Sequence, residues 1–266
     1  MRETLWLKLR RSSLLRKLYA IRIFTFPMKW LSFHLVPSRG TRSLRVRSGP
    51  GKGLKFELNP RWETSAWEGN YERLVQEYLL KQLKSGGVFY DVGANFGFYS
   101  LLAARLGAQV FAFEPDDHNA NSLKQHARAN SLDAKIEIIC KAVYSFSGSI
   151  SLEPAITERG HGNAHVGGGI VESASPAVQV PCTTLDDFAE RHPVPTLVKI
   201  DVEGAESDVL RGAEELFTLS RPHLLCEVHD PVNASFVAAW LSARGYAIHW
   251  LDQSDKLPTQ LFAAPK

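Results

Sequence analysis

The stretch that most constrains the fold spans residues 88 to 100, VFYDVGANFGFYS. An apolar run ends in Asp91 and opens into a turn spaced by Gly93 and Gly97, after which Phe98, Tyr99 and LLAARL continue as a helix. Val88, Phe89 and Tyr90 suit a buried strand, and the two glycines allow a tight turn between strand and helix. Ligands of open parallel sheets bind beyond the carboxyl ends of the strands, so this turn is the expected seat of a nucleotide-like cofactor.

The flanking sequence repeats the unit. Residues 109 to 113 (QVFAF) read as a second strand ending in Glu114, which lies 23 positions after Asp91, where an acid can take the two ribose hydroxyls of an adenosine. Asp116 and Asp117 start a helix through Asn130, and residues 135 to 143 read as a third strand. Residues 196 to 200 and 221 to 228 give a fourth and a fifth, the latter followed by a helix to Arg244. Residues 246 to 251 and 259 to 263 close the chain as an antiparallel pair, and upstream a strand over 54 to 58 precedes a helix over 62 to 84. Such alternation predicts an α/β fold with a right-handed, doubly wound, mostly parallel sheet. It lapses between residues 144 and 177, where a short strand over 149 to 152 precedes ERGHGNAHVGGG. A loop this long in a compact domain reads as a substrate-side flap over the cofactor or as a plain surface loop.

Charge divides the chain. Residues 1 to 48 carry twelve Lys and Arg against one acid, Glu3, leaving 19 bases and 27 acids beyond. The expected organisation is a basic amphipathic arm over 1 to 48 and a catalytic body over 49 to 266. The longest part of the arm without a charged residue, 30 to 38, is far short of the roughly 20 residues of a spanning helix. Its interrupting charges also disqualify a secretory signal. Residues 1 to 36 could lie on an anionic membrane or dock on a partner protein, which places the protein in the cytoplasm, peripheral to the membrane in the first case. Cys140, Cys182 and Cys226 are too dispersed for a disulfide framework or a zinc cluster and suit buried thiols in a reducing compartment.

Two cofactors compete for the turn. A dinucleotide loop needs a second glycine two places after the first, because the backbone there approaches the pyrophosphate. Asn95 occupies that place. S-adenosylmethionine has no phosphate and tolerates a side chain there, and Asp91, which would repel pyrophosphate, can attract its ammonium group directly or through water.

DVGANFGFYS, the FEP at 113 to 115, the TLDDF at 184 to 188 and KIDVEGAESDVLRG at 199 to 212 together resemble the FkbM family of S-adenosylmethionine-dependent methyltransferases. The resemblance covers residues 50 to 250 with the motifs in order. It implies a class I methyltransferase fold, Rossmann-like, with seven strands, the last antiparallel, and O-methylation of a hydroxyl on a sugar, glycan or other small-molecule acceptor. Carried over by position, Asp91, Gly93, Asn95 and Gly97 would border the methionine part of the cofactor and Glu114 would bind its ribose.

Methyl transfer to an alcohol needs the hydroxyl aligned and its proton removed. Asp201 and Glu203 after the fourth strand, with Glu227 and His229 at the end of the fifth, could converge on the methyl group. His229 can accept a proton near neutral pH, with Asp201 or Glu227 orienting it. The same carboxylates, Asp201 and Glu227, could instead hold a divalent cation that lowers the pKa of the hydroxyl. Asp201 and Glu203 are also good helix N-terminal residues, and Lys199 reads as a strand residue. His161, Asn163 and His165 in the flap could grip substrate hydroxyls or form an exposed polar pair. Two rival functions stay open. A nucleic-acid methyltransferase would use the arm on phosphates, but the acidic body has no basic and aromatic groove, so no nucleic acid is expected. The other is a binding protein without turnover.

Overall fold

The structure is a computed structural model that describes residues 40–59, 63–83, 87–153, 156–157, 160–161, 165–166, 177–251 and 257–266. The expected membrane or partner contacts of residues 1 to 36 therefore fall outside the described residues. An antiparallel hairpin comes first, β1 (Arg42–Arg45) and β2 (Lys55–Leu58). Leu44 and Val46 are buried in the same core as Phe56 and Leu58, so the charge boundary at residue 48 falls inside a folded element. Two helices follow, α1 (Thr64–Glu68) and α2 (Arg73–Gln82), where periodicity predicts one. The break is at Gly69, whose left-handed backbone (φ 84°) ends α1.

The body then alternates β3 (Val88–Val92), α3 (Phe98–Arg105), β4 (Gln109–Phe113), α4 (Asp117–Ala129) and β5 (Ile136–Ile139). After it come β6 (Ala142–Val143), β7 (Gly148–Glu153), β8 (Ile156–Thr157), β9 (Gly160–His161), β10 (His165–Val166), β11 (Val178–Thr183) and α5 (Leu185–Ala189). The last third holds β12 (Leu197–Ile200), α6 (Glu206–Arg211), β13 (His223–Val228), α7 (Pro231–Ala243), β14 (Tyr246–Trp250) and β15 (Thr259–Pro265). Side chains cap three of the helices, whereas α6 begins after Ala205 without a cap from Asp201 or Glu203. Asp116 accepts the Asn119 N–H ahead of α4, Thr184 accepts that of Asp187 at α5, and Asp230 accepts those of Val232 and Asn233 ahead of Pro231 in α7.

Seven strands form the central sheet in the order β14-β15-β13-β12-β3-β4-β5. β13, β12, β3, β4 and β5 run parallel, and β15 is antiparallel to both β13 and β14. The order and directions are those of the class I methyltransferase sheet that the family resemblance implies. The terminal pair does not simply add to an edge: β15, last in sequence, inserts between β13 and β14. Alternate residues supply two cores, Phe89, Val110 and Leu197 on one face, Tyr90, Phe111 and Val198 on the other.

The third expected strand divides. β5 stays in the main sheet, whereas β6 leaves it at the exposed Cys140 and pairs parallel with β11. With β7 and β10 they make a four-stranded sheet, order β10-β7-β11-β6, over a small core of Ala142, Ile150, Leu152, Val180 and Cys182. This sheet occupies the region where the helix–strand alternation lapses. Among the described residues no helix is long and apolar enough to cross a membrane.

Candidate active site

β3 lies between β12 and β4, at the point where strand order reverses, and an open cleft lies there beyond the strand ends. Its floor is the turn 93 to 97. Gly93 (φ 78°) must be glycine, because a Cβ would stand 1.8 Å from the carbonyl oxygen of Asp201. Gly97 (φ 89°) leads α3, and a Cβ there would lie 2.0 Å from Leu123 Cδ1. Asn95 also has positive φ, 51°, and its side-chain oxygen accepts the Phe96 N–H at 2.8 Å.

Glu114 lines the cleft and anchors the turn. Its Oε2 accepts the Asn95 N–H at 2.7 Å and its Oε1 the Asp116 N–H at 3.0 Å. Burial pushes its carboxyl up to about 7, against the opposing pull of those two donors. Asp91 lies beneath the cleft wall rather than on it, 1% exposed. Its Oδ2 accepts the Ser100 hydroxyl at 2.6 Å, while Oδ1 is buried and accepts no hydrogen bond from the described residues. Burial raises its carboxyl, and the Lys199 charge and the Ser100 bond pull it partly back.

The second half of the site is a charged cluster at the ends of β12 and β13. Lys199 Nζ lies 2.9 Å from Asp201 Oδ2 and 5.0 Å from the centre of the Tyr99 ring. Burial alone would lower the ammonium, but Asp201, Asp91 and Glu72 outweigh it and hold the group above the ordinary lysine value. His229 Nδ1 is 2.7 Å from Glu206 Oε1, and its Nε2 is 3.3 Å from Glu203 Oε2 and 3.9 Å from Asp201 Oδ1. Ionised carboxylates only accept, so a histidine between two of them carries protons on both nitrogens. Burial opposes that charge, yet the Glu206 hydrogen bond and the Glu203, Glu206 and Asp201 charges raise His229 to about 9.

Of the four candidate catalytic residues, Asp201, Glu203 and His229 thus come together, with Asp201 and Glu203 lining the cleft. Glu227 does not join them. It sits in a niche with Glu72, Lys199 and Gln260, whose Nε2 donates to Glu227 Oε2 at 3.3 Å, because β15 brings Gln260 alongside β13. Burial first, then Asp201 and Glu72, push Glu227 up to about 7. The acids that could hold a cation are therefore Asp201 and Glu203 with His229, their ligand atoms within 4.8 Å of one another, rather than Asp201 with Glu227. Neither Asp201 nor Glu227 orients His229; the fully buried Glu206 does. The backbones of His161 and His165 lie on β9 and β10, while their side chains and Asn163 fall outside what the structure describes.

The FkbM methyltransferase domain model matches residues 91–248. The chain belongs to the FkbM methyltransferase family. The hexuronic acid methyltransferase AglP of Haloferax volcanii is 28% identical over 174 residues, covering 64% of this chain and 68% of that relative. A crystal structure of methyltransferase FkbM from Methylobacillus flagellatus shares the fold, with TM-score 0.51 and 18% identity over 71% of this chain. The alignment spans half, 50%, of that crystallised protein.

This FkbM-family chain is a methyltransferase, and dependence on S-adenosylmethionine follows from the class. The cleft fits that cofactor. It offers Glu114 as an acceptor for ribose hydroxyls and a side chain at Asn95 where pyrophosphate would need bare backbone, while Asp91, buried beneath the wall, could act on a cationic ammonium only through its charge or a water.

Proposed function

We propose that the protein transfers the methyl group of S-adenosylmethionine to a hydroxyl of a sugar or glycan acceptor, with Asp201 as the group that receives the hydroxyl proton. The observation that carries this reading is the setting of Asp201, which lines the cleft with Oδ2 engaged by the buried Lys199 ammonium and Oδ1 turned toward His229. Bound S-adenosylmethionine supplies an electrophilic methyl on a sulfonium. The chain's own part is to align the acceptor oxygen and take its proton, and a carboxylate at the strand end next to the cofactor turn suits both. His229, doubly paired with carboxylates, acts on this reading as a charged strut between the β12 and β13 ends rather than as the base. Glu203 completes the strut, and Glu227 backs Lys199 from the niche. The relative AglP, named for hexuronic acid, supports a sugar acceptor.

A second reading has its own observation. Asp201, Glu203 and His229 could hold a divalent cation that activates the hydroxyl. Transfer abolished by EDTA and restored by Mg²⁺ or Mn²⁺ would favour it. The arm, on this account, rests the enzyme on the cytoplasmic face of an anionic membrane, tested by co-sedimentation of the full chain with phosphatidylglycerol vesicles. His161, Asn163 and His165 would meet the acceptor. The decisive assay incubates the protein with labelled S-adenosylmethionine and a panel of glucuronate- and galacturonate-bearing oligosaccharides, with RNA as a control. A mass gain of one methyl on a saccharide is expected. Label on RNA alone, or cofactor binding without transfer to anything, would overturn the proposal.

A further inference from the structure

Tyr71 lies upstream of the residues that match the family model, in the turn between α1 and α2, yet it lines the cleft with Tyr99, Lys199 and Asp201. It is held from three sides. Its ring packs against Phe98 at 5.2 Å and 72° and against Tyr99 at 6.0 Å. Its carbonyl accepts the side-chain amide of the fully buried Gln76. Its hydroxyl interacts with the Glu72 carboxylate, which also accepts the Tyr99 hydroxyl at 2.6 Å. Glu72 itself is kept at φ 38°, a conformation that a non-glycine residue holds only when its surroundings fix it. The Tyr99 ring on which Tyr71 packs has the Lys199 ammonium 5.0 Å from its centre, and Lys199 pairs with Asp201 at 2.9 Å, so Tyr71 joins the charged end of the cleft while also lying 6.5 Å from Phe96 of the cofactor turn. Burial and then the charges of Glu72, Asp201 and Glu227 raise its hydroxyl well above the ordinary tyrosine value.

The reacting hydroxyl must come to that same end, beside Asp201. Resting on the sugar-acceptor reading above, we infer that Tyr71 is an acceptor-contacting residue whose ring packs on the apolar CH face of the sugar, and that Glu72 is a positioning residue fixing Tyr71 and Tyr99. An aromatic body with a polar tip suits a pyranose, which presents carbon-bound hydrogens on its faces and hydroxyls on its rim. The segment before the family domain would then set which acceptor is used, while the domain itself holds the cofactor.

The test measures transfer kinetics with the best uronate oligosaccharide of the panel, together with calorimetric titration of S-adenosylmethionine, on wild type, Tyr71→Ala, Tyr71→Leu, Tyr71→Phe and Glu72→Gln. Tyr71→Ala should raise the acceptor KM about tenfold or more while cofactor Kd stays within about threefold. Tyr71→Leu keeps apolar bulk against Phe98, guards against a folding loss and should show the same KM rise. Tyr71→Phe keeps the ring but loses the Glu72 tether, so its KM should rise less than that of Tyr71→Ala and no more than that of Glu72→Gln, which frees Tyr99 as well, with cofactor affinity unchanged in both. Wild-type acceptor KM in Tyr71→Ala and Tyr71→Leu would overturn the inference. A wild-type protein that methylates no saccharide would instead remove the reading beneath it, and the inference with it.

Discussion

Lys199 on β12 and Asp201, the residue just past the strand's end, form an ion pair of 2.9 Å whose lysine side chain is only 5% exposed. Asp91 stands opposite Lys199 on the neighbouring strand, so one buried ammonium serves the residue beneath the cofactor turn and the proposed base together. Removing one partner of a buried pair leaves an uncompensated charge. Lys199→Met should lower unfolding free energy by about 3 kcal/mol or more, read by urea denaturation, and should abolish transfer. A fully stable Lys199→Met would show that the acids do not depend on it.

Gly93 joins the same two strands through their backbones. The Asp201 carbonyl occupies the place of a Cβ, and φ is 78°. Gly93→Ala must push β3 and β12 apart at the cleft floor. The expected cost is about 3 kcal/mol in stability, with at least about a tenfold loss in S-adenosylmethionine affinity by calorimetry. Wild-type affinity in this variant would remove the turn from the cofactor site.

If Glu114 takes the ribose hydroxyls as proposed, cofactor binding should depend on pH. With its carboxyl at about 7, the group is largely protonated in mild acid and ionised above neutrality, and only the ionised form can accept from both ribose hydroxyls. Affinity should therefore rise between about pH 6 and about pH 8. Glu114→Gln should bind more weakly and show a flat profile over that range. A profile equally steep in the variant would assign the titration elsewhere.

His126 links the upstream hairpin to the turn. Its Nδ1 donates to the Phe96 carbonyl at 2.8 Å, and its Nε2 accepts the Glu57 N–H at 3.0 Å, which requires the neutral ring. Burial lowers its pKa, against the Phe96 bond and the Glu57 charge. The folded value lies below the unfolded one of about 6.5, so its contribution is present above about pH 6.5 and lost as pH falls toward the lowered value. Denaturation midpoints at about pH 7 and about pH 5 should diverge more for wild type than for His126→Gln. Buried acids such as Glu114 titrate in both proteins, so they cancel in that comparison.

Much of this was legible in the sequence because strands buried on both faces leave continuous apolar runs. QVFAF and LLCEV declare themselves, and Glu114 and Asp201, the acids that follow β4 and β12, mark where the cleft opens. Placement of β15 was not legible, since an antiparallel pair reads the same whether it adds at an edge or inserts beside β13. Glu206, which orients His229, and Glu72, which ties Tyr71 to Tyr99, escaped notice because their partners are distant in sequence. Lys199 did leave a signal. A lysine inside the buried run LVKI needs a counter-charge, and Asp201 follows at strand period on the same face.

The central claim is that Asp201 takes the acceptor's proton beside a cofactor held by other residues. Asp201→Asn keeps the shape and the backbone carbonyl that faces Gly93, so calorimetric titration and transfer rate on that one variant separate the two roles. The expected result is S-adenosylmethionine affinity within about threefold of wild type and a kcat lower by about a thousandfold. Transfer at near-wild-type rate would contradict the account.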